Sequence, residues 1–289
     1  MKILVGVISE YSADDAMALA AVLQQAFGAE VVLGNIYAHS TETAGTRKVN
    51  AEWVQYLKSD AMDVLEEAAE DAVKAGLTEF TTVMHGHHSS GVGLAQLAEE
   101  IGADLIVIGS APGSSKGRFL IGSTADQLLH GSHVPVALAP SGYRRVRPAS
   151  LGRMVVAFQD TPESRRALEW AAEHNDGRRL AALTVLLRHR MMGSPMAFDT
   201  ENLVVEQVRE DAQAALDEAV ADLGVGADAL ITTGDDTQAA LQRVDWDGDE
   251  LLVLASARGG VLARVFLGDM TYKLVRATPV PAVVLPRHT

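Results

Sequence analysis

Residues 103–140 read ADLIVIGSAPGSSKGRFLIGSTADQLLHGSHVPVALAP, and this stretch carries the pattern that decides the fold. The run LIVIG (105–109) is apolar and rich in β-branched residues, which is typical of a strand buried on both faces of a parallel sheet. A loop rich in glycine and hydroxyl residues follows, and then a helix and a second short apolar strand. In α/β proteins, a glycine-rich loop between a buried strand and a helix start is where phosphate groups bind. The stretch therefore predicts an α/β fold with a candidate anion site.

The same pattern occurs a second time in the chain. LIVIGSAPG (105–113) aligns with LLVLASARG (251–259) at an offset of 146 residues. At the front of each half, KILVGV (2–7) matches RMVVAF (153–158). Because the landmarks keep the same order over a whole half, the sequence predicts a tandem duplication.

Each half alternates apolar strands with helices, as a doubly wound sheet requires. We expect two tandem, doubly wound, five-stranded parallel-sheet α/β domains, residues 1–143 and 152–289, joined through the polar stretch SGYRRVRPASLG (141–152). The predicted strands are 2–8, 30–37, 79–84, 104–109 and 135–139, then 153–158, 180–187, 228–232, 250–254 and 281–285. The predicted helices are 13–27, 50–75, 91–101 and 123–131, then 162–174, 201–223, 236–243 and 269–277.

Composition excludes several classes of function. The 289-residue chain has a formal net charge of −14, which argues against binding to a nucleic-acid backbone. It contains no cysteine, so disulfides and thiolate chemistry are excluded. The first apolar run is too short for a signal peptide, and no segment approaches the roughly 20 apolar residues of a membrane span. We expect a soluble, cytoplasmic protein without nucleic-acid or membrane partners.

Two groups of segments resemble the universal stress protein family. They are ILVGV with DDAMALAAVL near the N-terminus, and DLIVIGS, GRFLIGSTADQLL and VPVALAP further on. VVAFQDTPESRRALEWA (155–171) resembles the family's opening strand and first helix, so the resemblance covers nearly the full chain as two copies. It implies the fold shared with the adenine nucleotide alpha hydrolases, binding of ATP or AMP, and a regulatory role in stress response. In nucleotide-binding members, the loop reads G-x-x-G, nine residues, then G-[ST].

The resemblance also implies which residues contact the nucleotide. Gly109 stands at the first loop glycine and Gly122 with Ser123 at the closing pair, while Pro112 replaces the second glycine. The family's aspartate after the first strand falls on Ile8 and, in the second half, on Gln159. The candidate nucleotide-binding residues are Ser9, Ile36, Ile108, Gly109, Ser110, Ala111, Gly113, Gly122, Ser123 and Thr124.

The residues of the first loop give an independent physical case. STAD (123–126) fits the capping-box pattern and predicts Ser123 as the N-cap of the next helix. The N–H groups and the dipole of that helix favour negative charge, and Lys116 and Arg118 can reach outer phosphates. The alternative is a mobile glycine-serine loop before a merely capped helix.

The loop of the second half differs from that of the first at two of the positions expected to contact phosphate. Gly109 becomes Ala255 and Ser123 becomes Asp269, which places a carboxylate where phosphate would lie. We therefore expect at most one nucleotide per chain, in the first half.

Three further motifs are weaker. GSSKG (113–117) fits the nucleophile elbow, but Ser115 falls in the middle of the predicted loop. His85, His87 and His88 can share a metal, although a solvated loop explains them more simply and no metal is firmly predicted. DWDGDE (245–250) lacks EF-hand spacing and is interpreted as a turn into the next strand.

Two other functions stay open. One is a scaffold of the same fold that binds no nucleotide, favoured by Ile8, Pro112 and the altered second loop. The other is a slow ATPase or hydrolase, for which the sequence offers no evident general base near the loop.

The last strand of each half predicts the assembly. PVALAP (135–140) and PVPAVVLP (279–286) each end a half, and an edge strand leaves N–H and C=O groups to be paired. Since single-copy members of the resembled family often dimerise through this strand, we expect an intramolecular pseudo-dimer in which the two strands pair. The competing arrangement is two independent domains on a flexible link, and a further homo-oligomer stays open.

Overall fold

A computed structural model describes residues 1–7, 10–38, 47–187, 197–224, 226–256 and 269–286. The chain divides into two compact units, the first Met1–Ser150 and the second beginning at Leu151. Ile8, Ser9 and the second-half loop 257–268 lie outside the described residues.

The first unit is an α/β fold built on a parallel sheet. Its elements are β1 (Lys2–Gly6), α1 (Glu10–Phe27), β2 (Glu30–Tyr37), α2 (Arg47–Lys74), β3 (Phe80–Gly86), α3 (Ser90–Ile101), β4 (Leu105–Gly109), α4 (Ser123–Gly131) and β5 (Val136–Ala139). The strand order is β3-β2-β1-β4-β5, and each neighbouring pair is parallel.

The second unit repeats this architecture. Its elements are β6 (Arg153–Ala157), α5 (Pro162–Glu173), β7 (Arg179–Leu187), α6 (Ala197–Leu223), β8 (Asp228–Gly234), α7 (Thr237–Leu241), β9 (Glu250–Ala255), α8 (Asp269–Ala277) and β10 (Ala282–Leu285). The strand order is β8-β7-β6-β9-β10, again parallel throughout. The predicted helix 236–243 is shorter than expected, because α7 ends at Leu241.

The strand orders confirm the doubly wound fold predicted from the sequence. Ile3 of β1 pairs with Val31 of β2 on one side and with Leu105 of β4 on the other, so the winding direction reverses at β1. Helices cover both faces, which explains why residues Leu105 to Ile108 of β4 are all at most 2% exposed. In such sheets a crevice opens at the carboxyl ends of the strands beside the reversal, between β1 and β4.

A buried polar side chain fixes the carboxyl end of the first strand in each unit. Asn35 on β2 donates its amide to the carbonyl of Val7, with a donor–acceptor distance of 2.9 Å. In the second unit, the Thr184 hydroxyl donates to the carbonyl of Phe158 at 3.1 Å. Since a buried carbonyl without a partner is costly, these bonds stabilise the strand ends that border the crevice.

The beginning of the polar link packs as part of the first unit. A 3₁₀ turn covers Tyr143–Arg145, and the Tyr143 ring is buried, which raises the pKa of its phenol well above the ordinary value. The buried Asp15 carboxylate on α1 accepts the N–H groups of Gly142 at 2.8 Å and Arg144 at 2.9 Å. These hydrogen bonds hold the segment that follows β5 against α1.

No helix in the described parts of the chain combines the length and the apolar character that crossing a membrane requires.

Candidate functional site

The glycine-rich loop lies at the switch point of the first sheet. It leaves β4 at Gly109, which is half-buried and pairs with Ala139 of β5, and it ends where α4 begins at Ser123. Because β4 neighbours β1, the loop borders the crevice in which doubly wound sheets bind ligands. Ser115 lies in the middle of this loop and not on a sharp strand-to-helix turn, so the geometry of a nucleophile elbow is missing.

Hydrogen bonds close the base of the loop. The Ala111 N–H donates to the Leu120 carbonyl at 3.0 Å, and the Leu120 N–H donates to the buried Ser110 hydroxyl at 2.8 Å. The role of Ser110 is therefore to join the two ends of the loop, and its hydroxyl oxygen is engaged there.

A second set of bonds holds the tip of the loop against the chain after β5. The Gly117 N–H donates to the Ser141 carbonyl at 2.8 Å, and the Ser141 N–H donates to the Arg118 carbonyl at 2.9 Å. Gly113 and Gly117 have φ angles of 85° and 71°, which favour glycine. Both the base and the tip of the loop are therefore hydrogen-bonded in the described structure.

The start of α4 differs from the capping prediction. Gly122 is the N-cap residue, with φ −89° and ψ 179°, and it has no side chain with which to cap the helix. Ser123 is the exposed first helical residue, so its predicted capping role is wrong. The Asp126 N–H bonds to the Gly122 carbonyl at 2.9 Å, and the three N–H groups before it have no carbonyl partner within the helix. They form a donor cluster at the positive end of the helix dipole.

Gly122 allows this helix start to approach the loop closely. A Cβ atom at position 122 would lie 3.0 Å from the Ala111 Cβ, which is tighter than most such contacts. Ala111 and Gly122 therefore lie together at the mouth of the loop.

The remaining candidate residues differ in how exposed they are and in whether their polar groups are already hydrogen-bonded. The Thr124 hydroxyl lies 2.7 Å from the Ser90 hydroxyl at the start of α3, so it is already hydrogen-bonded. Ile36 is partly exposed at the carboxyl end of β2, whereas the Ile108 side chain is buried and leaves only its backbone for a ligand. Lys116 is exposed at the tip of the loop. Ser9 lies outside the described residues.

The described residues of the second unit enclose a small cavity at the corresponding position. It has a volume of about 40 Å³ and lies between the ends of β6 and β9 and the first turn of α8. The buried Phe158 lines it, and the buried Thr271 donates its hydroxyl to the Ala255 carbonyl at 2.8 Å. Thr271 stands where the first unit has the smaller Ala125 at the same offset. The volume is that of a few water molecules and far below that of a nucleotide.

The three histidines are engaged with protein groups. His85 Nδ1 lies 3.4 Å from the Glu100 carboxylate, and the Ser89 N–H donates to His87 Nδ1 at 3.0 Å. The His87 and His88 rings pack with centroids 4.3 Å apart. Within the described residues, no group of three potential ligand atoms includes these histidines.

The acidic stretch before β9 forms a turn that one buried carboxylate organises. Ligand oxygens of Asp247, Asp249 and Glu250 lie within 4.8 Å of one another. Glu250 is 2% exposed and accepts the N–H groups of Asp247 and Gly248, each at 2.8 Å. These bonds agree with the predicted turn and account for the clustering of the acids.

Comparison with known proteins agrees with this architecture. The sequence model of the universal stress protein family matches residues 1–140 and 151–286. Universal stress protein Rv2319c of Mycobacterium tuberculosis (strain ATCC 25618 / H37Rv) is 31% identical over 294 residues, covering 99% of this chain and 100% of that protein.

Two solved structures share the fold over nearly the whole chain. A universal stress protein from Archaeoglobus fulgidus DSM 4304 covers 99% of this chain and 98% of its own, with a TM-score of 0.65 and 18% identity. A protein from Pseudomonas aeruginosa UCBPP-PA14 covers 98% of this chain and 92% of its own, with a TM-score of 0.61 and 16% identity.

Proposed function

Because the chain belongs to the universal stress protein family, we propose that its first unit binds one adenine nucleotide, ATP or AMP, as a regulatory ligand in stress response. The start of α4 carries this proposal: its N-cap residue, Gly122, has no capping side chain, and a hydrogen-bonded glycine-rich loop faces it at the switch point of the sheet. The phosphates would lie over the N–H groups at Ser123 and Thr124. The adenosine would extend toward Ile36 and Ser9, as the resemblance implies.

The loop geometry supports anion binding in three ways. Gly122 has no Cβ, so the backbone at the helix start is open to the close approach of a phosphate. The positive end of a helix favours a negative charge by about 0.3–1 kcal/mol, and more where the site is partly buried. Lys116 adds a cation that can reach outer phosphates from its exposed position.

The second unit is proposed to bind no nucleotide. The cavity of about 40 Å³ among its described residues is too small for a base or ribose while Phe158 and Thr271 keep their positions. The sequence has Asp269 at the position of Ser123, and a carboxylate at this position would repel phosphate.

We also propose that the domains span residues 1–143 and 152–289 and that β5 and β10 pair within the chain. The support is that each strand ends the hydrogen-bonding order of its own unit, β5 next to β4 and β10 next to β9. A last strand with a free edge is a pairing surface that proteins seldom leave bare.

Calorimetric titration of the full chain with ATP and with AMP tests the nucleotide proposal. We expect a stoichiometry of about one per chain. Absence of binding to either nucleotide would instead favour the scaffold function. Phosphate release followed over hours separates the two remaining cases, since a regulatory ligand is bound without turnover and a slow ATPase liberates phosphate.

A further inference from the structure

Helix α2 carries a stripe of exposed residues on a face directed away from its buried side. The stripe repeats at intervals of three and four residues, which is the spacing of a contact seam between two helices packed side by side. Its members, called the α2 stripe below, are two aromatic residues followed by four carboxylates: Trp53, Tyr56, Asp60, Asp63, Glu67 and Glu70. We propose that the α2 stripe docks a basic amphipathic helix of a partner protein. This surface is separate from the nucleotide loop, and the inference goes beyond the function proposed above.

The opposite face anchors α2 in the first unit. Ala61, Leu65, Ala68 and Ala72 follow the same three- and four-residue spacing on that face, and each is at most 6% exposed. The stripe therefore lies on one continuous, anchored helix, and it is about 26 Å long at 1.5 Å per residue. A partner helix of about 18 residues would lie along all of it.

The aromatic pair provides the apolar anchor of the stripe. Trp53 and Tyr56 are 58% and 59% exposed, whereas the other two tryptophans, Trp170 and Trp246, are half-buried. The Trp53 and Tyr56 rings stack with centroids 5.4 Å apart and an interplanar angle of 18°. Because the two rings already hold each other, a partner would cover a large apolar area at a small cost in side-chain entropy. Tryptophan and tyrosine are also among the residues that dominate the binding energy of protein interfaces.

The carboxylates of the stripe select a basic partner. Among the described residues, none of these four carboxylates forms an ion pair. Two lysines of α2 are engaged elsewhere: Lys58 lies 6.0 Å from the centroid of the Tyr37 ring, and Lys74 pairs with Asp71 at 2.7 Å. Lysines or arginines at the matching spacing on a partner helix would supply the missing countercharges.

A second copy of this chain does not fit the stripe. Two copies packed through α2 would bring carboxylates opposite carboxylates in the middle of the seam. Each chain also has a formal net charge of −14, which opposes self-association. A basic helix with aliphatic residues at one end matches both the carboxylates and the aromatic pair.

Fluorescence anisotropy of a labelled peptide, titrated with the full chain, tests this inference. The probe is an alanine-rich helical peptide of about 18 residues, with leucines at one end and lysines at three- and four-residue intervals along one face. A control peptide of the same composition has its lysines distributed around the helix and measures non-specific attraction to an acidic protein. At an ionic strength of about 0.15 M, where the screening length is about 8 Å, the patterned peptide should bind at least about tenfold more tightly than the control.

Variants on two helices test whether the stripe is the binding surface. Trp53→Ala should weaken binding of the patterned peptide about tenfold, because it removes the larger aromatic anchor. Asp63→Asn should weaken it by about twofold to fivefold and reduce its salt dependence. The matched controls lie on α6: Val208→Ala removes an exposed apolar side chain and Glu210→Gln removes an exposed carboxylate. Both controls should bind the peptide as the wild type does.

Four outcomes would overturn the inference. The first three are equal affinity for the two peptides, wild-type affinity in Trp53→Ala, and absence of binding at millimolar peptide. The fourth is a dimer in analytical ultracentrifugation that Trp53→Ala abolishes, because the stripe would then contact a second copy of the chain. Since the substituted side chains are exposed, each variant should keep the wild-type melting temperature, and this measurement separates lost binding from lost folding.

Discussion

Replacing Ser123 by aspartate gives the start of α4 the residue that begins α8 in the second unit. Ser123 is the exposed first residue of α4, and Asp269 begins α8 in the repeat. Because Gly122 provides no capping side chain, an aspartate at position 123 places its carboxylate beside the N–H cluster proposed to hold phosphate. The carboxylate and the phosphate would compete for the same donors.

The expected loss of affinity follows from Coulomb's law. Two unit charges about 4 Å apart repel by about 1 kcal/mol in water and about 4 kcal/mol at an intermediate dielectric. The dissociation constant of AMP or ATP should therefore rise by about fivefold to several hundredfold. The same carboxylate interacts favourably with the positive end of the helix dipole and stabilises the fold by about 0.3–1 kcal/mol. The melting temperature of Ser123→Asp should therefore equal or exceed that of the wild type.

Calorimetric titration and thermal unfolding of the same samples provide the two readouts. Ser123→Asn is the matched control, because it has nearly the shape of aspartate without the charge, and it should bind nucleotide within about threefold of the wild type. The reasoning is refuted if Ser123→Asp retains its affinity, which would place the phosphates elsewhere. Equal losses in both variants would also refute it, because charge would then not be the cause.

Three further predictions test other parts of the chain. Asp15→Ala should destabilise the first unit by about 3 kcal/mol, because two charge-assisted hydrogen bonds of about 1.5 kcal/mol each are lost. Hydrogen exchange at the Gly142 and Arg144 amides should accelerate in this variant. Asp14→Ala is the control and should lower the free energy of unfolding by less than about 1 kcal/mol. Crystals soaked in AMP should show nucleotide in the first unit alone, and equal occupancy of both clefts would contradict the repulsion assigned to Asp269. X-ray scattering should give a radius of gyration of about 19 Å if β5 and β10 pair, whereas an extended monomer would favour independent domains.

The fold and its duplication could be predicted because their signals are local and repeated. A parallel strand covered by helices on both faces must be apolar along its whole length, and LIVIG and LLVLA meet this requirement at the same offset. The doubly wound sheet followed from the alternation of strands and helices, whereas the position of its reversal at β1 came from the strand pairing. The loop position followed as well, since the connection after β4 must emerge at the carboxyl edge of the sheet.

The details of the candidate site depended on contacts between distant segments. The hydrogen bonds of Ser141 with Gly117 and Arg118 join residues on two different connections, and no local pattern predicts them. Ser123 matched a capping box, yet the helix begins one residue too early for it to act as the cap. Capping depends on the backbone angles of a single residue, which the loop closure sets and the sequence pattern does not.

The sequence by itself therefore determined which segments form strands and helices, how they wind, and that the pattern occurs twice. Two polar residues could have been noticed, Asp15 in an apolar helix and Asn35 in an apolar strand, but their partners could not, because those lie elsewhere along the chain. Only the tertiary structure decided that the buried Leu97 of α3 fills the space over Gly34 of β2. Whether a space is filled depends on the side chains that several segments bring to it, and that is a property of packing in three dimensions.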